Sequence, residues 1–167
     1  MKLILETPRL LLREFDINDA ANFYKLNINP NVIKFTGDRA FKNMEEAQEF
    51  LTNYSDYKRN GFGRWAVINK SDNGFLGWCG LKYDERLNET DIGFRFFEEQ
   101  WNKGYATESA KSCLVYGFDK LGLKTIIGRA RSENIASIKV LEKVGLQFIQ
   151  KFEFDQNNTG VIYKIVR

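Results

Sequence analysis

The chain has 167 residues, a length that fits one hydrophobic core, so we expect a single domain over residues 1–167. It contains no histidine, which excludes a Ser-His-Asp triad, a Cys-His pair and any zinc site that uses histidine. Its 25 Lys and Arg against 22 Asp and Glu give a net charge of +3, which is too small to indicate a nucleic-acid partner.

A strand, two helices and three further strands are predicted in the first half of the chain. Asp16–Asp19 supplies capping groups for the first helix, and Asn60-Gly61 ends the second. Asn73-Gly74 lies between two alternating runs and is a strong hairpin signal, so we expect antiparallel pairing there. The predicted ranges are a strand over 10–15, helices over 20–26 and 43–59, and strands over 64–70, 75–83 and 90–97.

Helices and strands alternate in the second half, a pattern that favours helical crossovers. The helix over 103–121 has an apolar face that includes Ala110, Cys113 and Leu114, and Gly122 ends it. A strand over 125–131, a helix over 134–144 and closing strands over 146–154 and 161–166 follow. The predicted fold is therefore mixed α/β, with one sheet of about seven strands, antiparallel first and with helical crossovers later.

Targeting and cysteine signals favour a cytoplasmic protein. The apolar run Leu3-Ile4-Leu5 is too short for a signal peptide, and no later run is long enough to cross a membrane, so no membrane partner is expected. Cys79 and Cys113 are too few for a tetrahedral thiolate site, and no metal is expected. Two reduced, buried thiols are the preferred interpretation, and a disulfide between them is left open.

The segment from Gln100 to Glu108 directly follows a predicted strand and begins the longest predicted helix. The first N–H groups of a helix are unpaired and carry partial positive charge, so they bind phosphate well. Gly104 would let the backbone approach an anion closely, and Lys103 adds a cation. A plain strand-to-helix turn explains the same residues, and both interpretations stay open.

Asn134 lies where the next strand passes into a helix, and Ser137 follows one turn later. Asn134 is a typical N-cap residue, so a purely structural role is one interpretation. Two strand-to-helix turns that leave the same sheet edge, each with polar groups, would also form a cleft at the carboxyl ends of the strands.

Five segments resemble, in the same order along the chain, the GNAT superfamily of N-acetyltransferases, and specifically its branch of ribosomal-protein N-terminal acetyltransferases (RimJ/RimL-like). The matching segments are Glu6–Arg13, Gly77–Leu81, Asp91–Phe94, Trp101–Glu108 and Asn134–Leu146.

The resemblance implies a V-shaped opening between the fourth and fifth predicted strands that holds acetyl-CoA. The pantetheine arm would contact the backbone around Phe94, Arg95 and Phe96, with Asn134 holding the arm and Ser137 near the thioester sulfur. The pyrophosphate would bind N–H groups of the segment Asn102, Lys103, Gly104, Tyr105, Ala106 and Thr107. Asn102 replaces a glycine that is frequent in the family.

The resemblance also suggests which groups move protons. Asp91 is the first candidate for the general base and Glu108 the second. A cross-strand ion pair is the alternative for Asp91, and a first-turn helix charge is the alternative for Glu108. Leu141 stands where another branch has a tyrosine acid, so Ser137 or a water would protonate the leaving thiolate.

The expected function is direct transfer of an acetyl group from acetyl-CoA to a primary amine. The acceptor stays open among a peptide N-terminus, a polyamine, an amino sugar and an antibiotic, and a homodimer is left open. The first alternative is a CoA-binding sensor without turnover. The second alternative is a nucleic-acid accessory protein whose basic patch would consist of Arg129, Arg131, Lys139 and Lys143. Contacts to the phosphates of CoA, or a solvent-exposed face, explain these four residues better.

Overall fold

The computed structural model describes residues 2–167 and contains a mixed sheet. Within those residues the sheet has eight strands, in the order β1-β2-β3-β4-β5-β6-β8-β7. Neighbouring strands are antiparallel except for β5 and β6, which are parallel. The strands are β1 (Leu3–Glu6), β2 (Leu10–Arg13), β3 (Arg64–Asn69), β4 (Phe75–Asp84), β5 (Glu89–Phe96), β6 (Thr125–Arg131), β7 (Gln147–Asp155) and β8 (Asn158–Val166).

Helices cover both faces of this sheet. Adjacent residues of β4 point to opposite faces: Trp78 packs with the small cluster under α1 and α3, whereas Cys79 belongs to the main core together with Cys113 of α5. Both cysteines are free, buried thiols, as predicted. The helices are α1 (Ala20–Ile28), α2 (Pro30–Ile33), α3 (Met44–Thr52), α4 (Asp56–Asn60), α5 (Tyr105–Asp119) and α6 (Ile135–Lys143).

The mixed α/β architecture is confirmed, with an antiparallel first half and helical crossovers later. One strand was not predicted, because β1 has four residues, none of them fully buried, and gives little apolar signal. Long-range pairing to β2 makes it a strand. The fourth and fifth predicted strands correspond to β5 and β6.

The single helix predicted over 43–59 is wrong, because the chain forms α3 and α4 with a break at residues 53–55. Two tyrosines at this break turn toward the sheet. The Tyr54 hydroxyl accepts a hydrogen bond from the Arg64 N–H at 2.7 Å, and the Tyr57 hydroxyl donates to the Arg64 carbonyl. These contacts fix both backbone polar groups of Arg64 at the start of β3, and helical periodicity could not reveal them.

The closing hairpin turns earlier than predicted. Three of the four residues of the expected loop at 157–160 belong to β8, and the turn lies between Asp155 and Asn158. The Asp155 carboxylate accepts a hydrogen bond from the Asn157 N–H at 2.9 Å, which stabilises a tight turn at this point.

Candidate active site

The sheet opens between its two parallel strands. Only Asp91 with Ile127 and Ile92 with Gly128 are paired between β5 and β6, so the strands separate beyond these residues toward their carboxyl ends. We call the paired positions the apex of the opening. A V-shaped opening therefore lies between the strands for which it was predicted.

Glycines on both strands at the apex let other side chains approach closely. A Cβ on Gly93 would lie 2.6 Å from the Arg64 guanidinium, and a Cβ on Gly128 would lie 2.5 Å from the Leu141 side chain. Arg64 thus covers β5 on one face and Leu141 covers β6 on the other. Leu141 is a fully buried core residue, and no acid of the kind found in the other branch stands there.

The segment before α5 has the backbone geometry of an anion-binding loop. Asn102 and Gly104 both have left-handed backbone conformations, with φ of 60° and 81°. Gly104 is the N-cap of α5. Because glycine has no side chain, no N-cap side chain accepts a hydrogen bond from the first N–H groups of the helix. Lys103 contacts Gln100 through its ammonium group.

Arg9 is a site residue that sequence reasoning missed. Its guanidinium donates to the Lys103 carbonyl at 3.0 Å and lies over the ring of Tyr105, 4.5 Å from the ring centroid. A cation therefore stands beside the loop that was predicted to bind pyrophosphate. The only sequence signal was the resemblance over 6–13, because Arg9 and Lys103 are 94 residues apart.

Asn134 caps α6 and keeps half of its amide available. Its side-chain oxygen accepts a hydrogen bond from the Ser137 N–H at 3.2 Å, and its NH₂ group has no partner within residues 2–167. The Ser137 hydroxyl likewise has none there, and the neighbouring Ser132 hydroxyl is buried without one. The two interpretations of Asn134, a cap and a ligand-binding amide, are therefore compatible.

Residues 94–96 of β5 lie beyond the apex, along the opening. The Phe96 side chain is buried, and its carbonyl accepts a hydrogen bond from the Trp101 indole N–H at 3.0 Å. Phe94 packs against the main core. The Arg95 side chain points to the other face of the sheet, where it binds Asn27 and, at 2.6 Å, Asp38. Backbone contacts to a pantetheine arm stay a prediction for these residues.

Asp91 lies in the cross-strand ion pairs that were its alternative interpretation. One carboxylate oxygen accepts from Arg64 of β3, and the other accepts from Arg129 of β6 at 2.8 Å. Burial disfavours the charged carboxylate, but the two guanidinium groups outweigh it and hold the pKa of Asp91 below its ordinary value. A buried, doubly paired carboxylate is a poor proton acceptor, so the structure gives no support to Asp91 as the base.

Glu108 also matches its alternative interpretation. It accepts hydrogen bonds from the Thr7 hydroxyl at 2.6 Å and from the Arg9 side chain at 2.7 Å. Burial is again outweighed by these bonds, which lower the pKa of Glu108. Its carboxylate thus ties the turn between β1 and β2 to the first turn of α5, on the sheet face opposite Arg64 and Asp91.

A cleft of about 610 Å³ lies on the face that carries Arg64, between the sheet and α1 and α3. Its floor includes the Trp78 indole, with Arg64 and Arg95 guanidinium carbons 5.5 and 5.3 Å from the ring centroid. The lining residues are Phe15, Phe23, Asn27, Asp38, Arg39, Phe41, Glu46, Glu49, Phe50, Asn53, Tyr54, Arg64, Trp78, Lys82 and Arg95.

Over residues 2–167, no helix is long and apolar enough to cross a membrane, and no cluster of three or more Cys, Asp or Glu side chains is arranged to hold a metal ion.

Comparison with known proteins identifies the family. Residues 9–147 match the family model described as the acetyltransferase (GNAT) domain. The uncharacterized protein YkkB of Bacillus subtilis is 32% identical over 86% of this chain and 85% of its own length. The FsC-acetyl coenzyme A-N(2)-transacetylase of Aspergillus fumigatus is 31% identical over 94% of this chain and 71% of its own length.

Solved structures share the fold across the whole chain. A GNAT-family acetyltransferase from Bacillus anthracis has a TM-score of 0.83 at 27% identity and covers 99% of this chain and 98% of its own. Spermidine N-acetyltransferase from Vibrio cholerae, solved with CoA and spermine, has a TM-score of 0.78 at 20% identity, over 96% of both chains. The family match, the opening between β5 and β6 and the uncapped start of α5 agree, and the chain belongs to the GNAT family of acetyltransferases as an enzyme of the N-acetyltransferase class.

Proposed function

We propose that the protein transfers the acetyl group of acetyl-CoA directly to a primary amine, within a complex of both substrates. The observation that carries this proposal is the separation of β5 and β6 just beyond two residue pairs, flanked by the start of α5 and by Asn134. The acetyl coenzyme A named for the Aspergillus relative and the CoA bound to the Vibrio structure support the choice of co-substrate. Membership of the ribosomal-protein branch stays a prediction.

The donor groups of this chain fit acetyl-CoA. Residues 102–107 offer free N–H groups, and Lys103 adds positive charge beside the Arg9–Glu108 ion pair, which together suit a pyrophosphate. The free NH₂ of Asn134 can donate to a pantetheine carbonyl while the side-chain oxygen continues to cap α6. The Ser137 hydroxyl, one turn into α6, can donate a proton to the sulfur.

The reaction requires little from the protein beyond orientation. The amine nitrogen bonds to the acetyl carbon, the carbon–sulfur bond breaks, the amine loses one proton to water, and the thiolate gains one. Because Asp91 and Glu108 are held in ion pairs, we assign the loss of the amine proton to solvent in the cleft. Arg64, Asp91 and Arg129 then act together to hold the apex, as positioning residues.

The experiment compares two glutamate variants by isothermal titration with acetyl-CoA. Gly104→Glu places a carboxylate at the proposed pyrophosphate loop, and we expect loss of binding. Gly122→Glu is the matched control, since Gly122 also has a left-handed conformation and faces open space just beyond the other end of α5. Equal affinities in two folded variants would contradict the loop assignment. Binding without thiol release for any primary amine would favour the sensor alternative.

A further inference from the structure

Positive charges outnumber negative ones around the apex. In the strand register, Lys82 of β4 lies opposite Asp91 of β5, and Asp91 lies opposite Ile127 at the apex. The side chains of Lys82 and Asp91 therefore share one face of the sheet. Arg64 covers Gly93, the next residue beyond the pairs. The carboxylates of Asp84 and Asp91 are bound by Arg129, and Arg64 shares Asp91. Among these five side chains, three cations therefore face two carboxylates, and the Lys164–Glu89 ion pair beside Ile127 adds one charge of each sign.

Two of these cations have donors to spare. Lys82 makes no hydrogen bond or ion pair with any described residue, and its side chain is exposed in the cleft. Arg64 uses its two terminal nitrogens on the Asp91 carboxylate and on backbone carbonyls, and its Nε–H has no partner within residues 2–167. An anionic group at the apex could therefore accept hydrogen bonds from N–H donors of Lys82 and Arg64 that have no other partner among the described residues.

Most carboxylates of the outer cleft form ion pairs with arginines. Asp38 is bound by Arg95 at 2.6 Å and Glu46 by Arg39 at 2.8 Å. Glu49 has no ion-pair partner among the described residues, but it is exposed on α3, at the wall rather than at the apex. A substrate with several positive charges would therefore meet repulsion close to the reacting amine.

The walls of the cleft are aromatic. Phe23 and Phe50 stack with ring centroids 5.1 Å apart, and Phe50 is 43% exposed. Phe41 and Tyr54 extend this surface. Such a wall favours an apolar or aromatic group that it can cover.

We propose that the acceptor is an α-amino acid with an aromatic or large apolar side chain, whose carboxylate binds Lys82 and Arg64 at the apex. This inference rests on the proposed function. A carboxylate next to the amine places that amine at the opening, and the side chain extends along the phenylalanine wall. The product is an N-acetyl amino acid.

The first test measures kcat/KM with acetyl-CoA for matched acceptors. L-Phenylalanine is compared with 2-phenylethylamine, which lacks the carboxylate, and with phenylalaninamide, in which a neutral amide replaces the carboxylate. Spermidine is the third comparison. A charge-assisted hydrogen bond predicts that L-phenylalanine exceeds the first two by about tenfold or more. Equal or higher values for 2-phenylethylamine, phenylalaninamide or spermidine would overturn the proposal, as would the absence of turnover with L-phenylalanine.

The second test uses Lys82→Met, which keeps the apolar stem and removes the charge. We expect the KM for L-phenylalanine to rise about tenfold or more, with the KM for 2-phenylethylamine unchanged. Lys151→Met is the matched control, an exposed lysine on β7 outside the cleft. A parallel change for both acceptors in Lys82→Met would overturn the assignment of the carboxylate to Lys82.

A third measurement separates this inference from the proposed function. Fluorine NMR of 4-fluoro-L-phenylalanine and 4-fluorophenylethylamine reports acceptor binding without acetyl transfer, and calorimetry reports acetyl-CoA binding by itself. Amino-acid binding that Lys82→Met removes, without acetyl-CoA binding, would support the pocket and refute the proposed function. Acetyl-CoA binding and turnover with preference for the decarboxylated amine would support the proposed function and refute the amino-acid pocket.

Discussion

Asp91 accepts hydrogen bonds from two arginines that come from different strands, and these partners decide its chemistry. With Arg64 on one oxygen and Arg129 on the other, the charged form is already satisfied. The pKa of Asp91 lies below its ordinary value, so the residue holds no proton that could titrate near neutral pH. Its contribution is to orient two guanidinium groups at the apex of the opening.

We predict that Asp91→Asn lowers stability far more than it alters the pH profile. Removal of one partner from a buried ion pair costs about 3–5 kcal/mol of unfolding free energy. Loss of a general base would instead lower kcat by about 10²–10⁴-fold and flatten its pH dependence.

Chemical denaturation and the pH dependence of kcat measure the two effects of Asp91→Asn. Asp155→Asn at the β7–β8 turn is a control that lies outside the site. A stable Asp91→Asn enzyme with a flat profile and a loss of that size would restore Asp91 as the base.

At the scale of elements, the starts of α5 and α6 have different caps, and this difference determines what each can bind. Gly104 leaves the N–H groups of α5 without a side-chain partner, which suits an external anion. Asn134 satisfies one N–H of α6 internally and keeps its own NH₂ for a carbonyl. One helix thus offers backbone donors and the other a side-chain donor.

Asn134→Asp separates the cap from the proposed ligand contact. Aspartate caps a helix about as well as asparagine, so we expect an unchanged melting temperature. It has no NH₂ group, so we expect the dissociation constant for acetyl-CoA to rise about tenfold, the loss typical of one hydrogen bond left unmade.

The control is Asn43→Asp, the same change at the cap of α3, where the side chain accepts from the Glu46 N–H at 3.0 Å. Titration calorimetry and thermal denaturation of both variants decide the matter. Equal affinity for acetyl-CoA in both would leave Asn134 with the capping role alone.

At the scale of the whole molecule, several carboxylates join elements that are distant in sequence. Asp84 and Asp91 connect β4 and β5 to Arg129 of β6, and Glu108 joins α5 to the β1–β2 turn. Burial by itself would raise the pKa of each, but their partners outweigh it and lower all three. The unfolded chain therefore binds more protons than the folded protein in acid.

We predict that stability is lost as pH falls from about 4.5 toward 3. These carboxyls contribute fully above their ordinary pKa values of 3.8 and 4.5, and the contribution disappears as pH falls through the lower values of the folded state. Urea unfolding at pH 7, 4 and 3 measures this decline. The decline should be smaller in Asp91→Asn, and a constant unfolding free energy across this range would contradict the assignment.

Local patterns determined most of the elements and the two loops of the candidate site. Periodicity predicted the long helix and the strands that became β3 to β6, because a buried face repeats along a single segment. The sequence also indicated Gly104 and Asn134, because their conformational and capping preferences depend on adjacent residues.

Tertiary structure alone decided which charges meet and where the acceptor cleft lies. Arg9 and Glu108 are 99 residues apart, and Arg129 and Asp91 are 38 apart, so no local window contains either pair. Tyr54 and Tyr57 broke a predicted helix because their hydroxyls bind the backbone of Arg64. By itself the sequence determined the fold class, the family resemblance and the two candidate loops. The sheet brings distant strands side by side, and it thereby paired Asp91 with its arginines and left Lys82 free in the cleft.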